Sequence, residues 1–78
     1  MSKLKVAVAV ADDARDRIYE VAAACRALGL DHTATHTEAG LLTGSIESAG
    51  LARLLAIPGV LMVEIEREFF SGLVATIQ

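Results

Sequence analysis

Ile57-Pro58-Gly59-Val60-Leu61-Met62-Val63-Glu64-Ile65-Glu66 reads as the end of a helix, a sharp stop and then a strand. Pro58 has no backbone N–H and disfavours the helical region for the residue before it, while Gly59 accepts the φ values that a tight exit needs. Beyond the stop, a period of two places Leu61, Val63 and Ile65 on one face and Met62, Glu64, Glu66 and Glu68 on the other. The expectation is a half-buried strand with an acidic outer face.

Upstream of this stop, Ser48 suits the N-cap of a helix whose buried stripe is Leu51, Leu54 and Leu55. Residues 41–47 form a strand before it, with Leu42, Gly44 and Ile46 on one face and Leu41, Thr43 and Ser45 on the other. Gly44 weakens a strand interior, so it marks a bulge or a close helix approach. Residues 30–38 are rich in Thr and polar, which suits a strand at a sheet edge. His32 and His36 share a face of that strand, but four residues of extended chain span roughly 13 Å, too far for one metal ion.

At the start of the chain, residues 3–11 alternate Leu4, Val6, Val8 and Val10 with Lys5, Ala7, Ala9 and Ala11, the pattern of a central strand with one shallow face. Asp12 or Asp13 suits the N-cap of the first helix, and Asp16 complements its dipole. Ile18, Val21, Ala22, Cys25 and Leu28 follow at helical spacing, and Gly29 closes the helix.

The order is therefore strand, helix, strand, strand, helix, strand. Two such units with right-handed crossovers give an α+β, ferredoxin-like sandwich: a four-stranded antiparallel sheet with both helices on one face. The first and third strands are then central and the second and fourth lie at the edges. The 78 residues make a single domain. Its tail, 69–78, either adds a short fifth strand after a turn at Ser71-Gly72 or forms an extended arm.

Composition narrows the function classes. Hydrophobic residues make up 54% of the chain and aromatic ones 4%, so the core is built from aliphatic side chains. The net charge of −3, with no basic run, argues against a nucleic-acid partner. Cys25 is the sole cysteine, which excludes an internal disulfide and fits a buried, inert thiol. The apolar run 6–11 is too short for a signal-peptide core or a membrane span, so the expectation is a cytoplasmic protein without a membrane partner.

Catalytic constellations are missing. There is no Gly-rich phosphate loop, no Cys-x-x-Cys pair and no nucleophile elbow, since Ser45 is followed by Ile46. A Schiff-base lysine needs a desolvated pocket, and the only lysines, Lys3 and Lys5, stand at the start of the first strand. An aldolase-type reading fits poorly for that reason. The expectation is a protein that is not an enzyme and takes neither cofactor nor metal.

The stretch Thr43-Gly44-Ser45-Ile46, with 51–66 after it, resembles the second half of subtilisin-type propeptides and of the stand-alone peptidase inhibitors related to them. Those chains also carry a Gly-plus-apolar strand end, a Leu-bearing helix, a Pro-x-Val stop and a Val-Glu-x-acid strand. The resemblance implies that the open sheet face, here Ala7, Ala9, Thr43, Ser45 and Met62, lies on paired helices of a subtilisin-like serine protease. Glu64 and Glu66 would meet the positive N-termini of those helices. The C-terminal arm would enter the substrate cleft as an added strand. The family's chain stops a few residues after its acidic pair, whereas this one continues past Gly72. Ala75, Thr76, Ile77 and Gln78 are thus the cleft-binding end on a longer arm, or else the tail folds back onto the sheet.

Two function classes follow. One is a non-catalytic inhibitor or folding assistant of a subtilisin-like protease. The alternative is a small regulatory or oligomerising ferredoxin-like module, which binds a metabolite or forms a homodimer through the open sheet face or an edge strand.

Overall fold

The computed structural model describes residues 3–66. Within them, β1 (Lys3–Val10) leads through a 3-10 turn (Asp12–Arg17) into α1 (Ile18–Ala27). Next come β2 (Asp31–His36), β3 (Leu41–Glu47), a 3-10 turn (Ser48–Gly50), α2 (Leu51–Leu55) and β4 (Val60–Ile65). The strands form one sheet in the order β2-β3-β1-β4, and every neighbouring pair is antiparallel. This is the ferredoxin-like arrangement expected from the element order, with β1 and β3 central. The anticipated fifth strand falls outside the described residues.

Alternation along the central strands decides which side is the core. Val6, Val8 and Val10 of β1 are buried with Leu42 and Ile46 of β3. They pack with Ile18, Val21, Ala22 and Cys25 of α1 and Leu54 of α2 in one cluster. Each Val, Leu or Ile side chain among them contributes roughly 1.5–3 kcal/mol on full burial. Ala7, Ala9, Leu41, Thr43 and Ser45 take the opposite side and are half-buried, with no helix over them among the described residues.

Two glycines close the helical segments. Gly29 has φ +108°; its N–H bonds to the Arg26 carbonyl, and the Leu30 N–H reaches back to the Cys25 carbonyl. These paired bonds satisfy the last carbonyls of α1 from the main chain. At the opening stretch, the Val60 N–H bonds to the Ile57 carbonyl across Pro58 and Gly59, and Gly59 has φ +96°. A turn with Pro second and a positive-φ Gly third is the outcome that dipeptide favours.

Several expectations are corrected. Val10 pairs with Val60 but Ala9 with Met62, so Leu61 is an extra residue in a bulge and is 69% exposed. It does not share the core face of Val63 and Ile65. A second bulge lies in β2, where His32 pairs with Gly44 and Ala34 with Thr43. The extra residue, Thr33, shifts the phase by one, so His32 and His36 stand on opposite faces rather than together.

Helix starts also differ. Neither Asp12, Asp13 nor Ser48 caps a helix through its side chain; Ala11 and Glu47 hold the cap positions. Both helical segments open as 3-10 turns, and the Ala14 N–H finds the Ala11 carbonyl at 2.9 Å, so the main chain supplies that acceptor. Within the expected apolar stripes, Leu54 is buried, but Leu28 and Leu55 are exposed. The short α2 turns only one residue fully inward.

Candidate functional site

The face of the sheet opposite the helices is the candidate site. Residues paired directly across antiparallel strands share a face, so the registers map it. Along one row from β2 to β4 stand Ala34, Thr43, Ala7 and Glu64. The row toward one end carries His36, Leu41, Ala9 and Met62. The row toward the other end carries Asp31, Ser45, Lys5 and Glu66, the last placed by its N–H bond to the Lys5 carbonyl at 2.7 Å. Lys3 lies beyond, 3.8 Å from Asp31.

The face is therefore polarised, with small and apolar side chains at one end and interleaved charges at the other. All seven residues expected to share it do so: Ala7, Ala9, Thr43, Ser45, Met62, Glu64 and Glu66. The cleft-binding tail, Ala75, Thr76, Ile77 and Gln78, lies outside the described residues.

Sequence reading missed one neighbour of this group, Thr33. Lys5 stands beside Glu66, Leu41 completes the apolar end, and Thr33 joins through the β2 bulge, with its hydroxyl 3.1 Å from that of Thr43. The Thr43 hydroxyl donates to the Ala34 carbonyl at 3.4 Å. Only Gly44 hints at that bulge. Lys5, Thr33, Thr43, Gly44, Ser45 and Glu66 line a shallow depression of about 330 Å³.

On the helix side, polar groups are tied up. Arg26 Nη1 lies 3.1 Å from His32 Nδ1, and a guanidinium only donates, so the ring accepts there. The imidazole then carries its proton on Nε2 and donates to Thr35 Oγ1 at 2.8 Å and the Ala34 carbonyl at 3.0 Å. His32 is thus a link between α1 and β2. Arg15 donates to the Glu38 and Ala39 carbonyls at 3.1 and 3.5 Å, fastening the β2–β3 turn to the first helical segment.

Cys25 is buried, and burial pushes its thiol up from the ordinary value, with the nearby Arg26 charge pulling weakly the other way. A thiol held protonated in this way is a poor nucleophile. Among the described residues, no cluster of His, Cys, Asp and Glu could hold a metal ion, and no helix is long and apolar enough to cross a membrane. No protein-family model, curated protein or solved structure matches this chain.

Proposed function

We propose that this chain is a non-catalytic protein-binding domain, of the inhibitor or folding-assistant kind, whose open sheet face docks on a subtilisin-like serine protease. One observation carries this reading: Met62 and Glu64 of β4 and Glu66 just past its end stand in line, on the same uncovered face as Ala7, Ala9, Thr43 and Ser45. Short side chains at the centre let a partner's helices approach closely. Carboxylates along one margin suit the partial positive charge at helix N-termini, where anions are favoured by about 0.3–1 kcal/mol each.

The test is to mix the purified protein with a subtilisin-type protease and follow hydrolysis of a chromogenic peptide, and separately refolding of the protease. Slowed hydrolysis or faster refolding supports the reading. Neither effect at micromolar concentrations sinks it.

A second reading draws on the depression beside Thr33, Thr43 and Ser45, whose hydroxyls suit a small polar metabolite. It makes the chain a regulatory module. Unchanged amide spectra across a metabolite panel count against it.

A further inference from the structure

We propose that β4 is also a homodimer edge, pairing antiparallel with β4 of a second copy about a two-fold axis through Val63. The hydrogen-bond phase points there first. The Glu66 N–H bonds to Lys5 of β1. In an antiparallel ladder, bonded and non-bonded residues alternate, so Glu66, Glu64 and Met62 spend their backbone groups on β1. The N–H and C=O of Val63 and Ile65 face away, with no partner strand among the described residues. Such an edge is a template for another strand. The opposite edge differs: β2 is interrupted mid-strand by the Thr33 bulge, whereas in β4 the bulge lies near the start and leaves 62–65 regular.

Charge then selects the register. A two-fold centred on Glu64 sets that carboxylate against its own copy, and like charges directly opposite repel. A two-fold centred on Val63 instead sets Glu64 opposite the partner's Met62. It joins the outward N–H and C=O of Val63 in one chain to those of Val63 in the other. Side chains on the helix side add a third observation. α2 packs over β4, so this axis brings the two α2 helices together on one side of an eight-stranded sheet. Leu55, 55% exposed on α2, stands on the helix that meets its copy there. The open faces of both copies remain uncovered and become continuous.

Substitutions at Met62 test the register, because this exposed side chain faces Glu64 of the second copy twice per dimer. Sedimentation equilibrium on the full chain should show a monomer–dimer equilibrium. Met62→Lys should lower its dissociation constant roughly threefold to tenfold, and Met62→Glu should raise it by a similar or larger factor. Amide exchange at Val63 should slow as protein concentration rises.

A monomer at all concentrations overturns the proposal. So does a dimer indifferent to both charges, or protection of this amide that does not depend on concentration. Thermal melts run alongside; if Met62→Glu fails to fold, Met62→Lys decides alone. The readout is molecular size, so it is independent of protease inhibition.

Discussion

The carbonyl oxygen of Asp31 occupies the space that a side chain on Gly44 would need: a Cβ there would lie 2.5 Å from that oxygen and 3.0 Å from the Cα of His32. The contact is backbone to backbone, so no flexible side chain can move aside. Gly44→Ala should therefore destabilise the protein by about 1–3 kcal/mol, the usual range for overpacking. A urea titration checks it. An unchanged midpoint would mean that the β2 bulge relaxes freely.

That contact also explains what could be read from the chain and what could not. The alternation in β1 and β3 has a strict period of two, and their faces follow from it. Bulges break that logic, because one extra residue reverses every assignment on one side of it. Thr33 and Leu61 carry no local mark of being extra. Gly44 does mark its place, since a glycine inside a strand signals a close approach, but it cannot say which neighbouring residue is displaced. For the same reason the face shared by Ala7, Ala9, Thr43 and Ser45 was legible, being built on unbulged strands, whereas Thr33 joins it only through a bulge. The helix starts were missed because side-chain caps and 3-10 turns satisfy the same backbone groups, and Asp12 and Ser48 suit either.

Two glycines separate strain from crowding. Gly29 and Gly59 both have positive φ, at +108° and +96°. A Cβ on Gly29 meets nothing within 4 Å, whereas one on Gly59 would lie 3.0 Å from the Ala14 Cβ and 3.3 Å from Val21 Cγ2. Gly29→Ala should cost about 1 kcal/mol from backbone conformation alone. Gly59→Ala should cost more, on the order of 2–3 kcal/mol, as packing adds to strain. Paired denaturant curves check the order; equal losses would show that the first 3-10 turn yields at Ala14.

Cys25 links burial to pH. Its native thiol is raised by desolvation, so between the value of an exposed thiol and that of the native one the folded state holds a proton the unfolded state has lost. Stability from this group is intact below the ionisation range of an exposed thiol and is lost as pH rises through the native thiol's range. Cys25→Ala should flatten that alkaline decline while costing stability at neutral pH through the lost volume. A thiol reagent at neutral pH should label the wild type only through unfolding. Labelling at the rate of a free thiol would contradict the burial.

Glu64 and Glu66 carry the sharpest prediction on function. Both side chains are exposed, and no described ion pair depends on them, so Glu64→Gln with Glu66→Gln should leave the fold and the denaturant midpoint nearly unchanged. If the carboxylates meet helix N-termini of a protease, the double variant should weaken inhibition on the order of tenfold, from two contacts of about 0.3–1 kcal/mol each. The wild-type advantage should shrink in high salt, which screens exposed charge. Glutamine keeps the size and loses the charge, so equal inhibition by both proteins at low salt would place the docking surface elsewhere on the molecule.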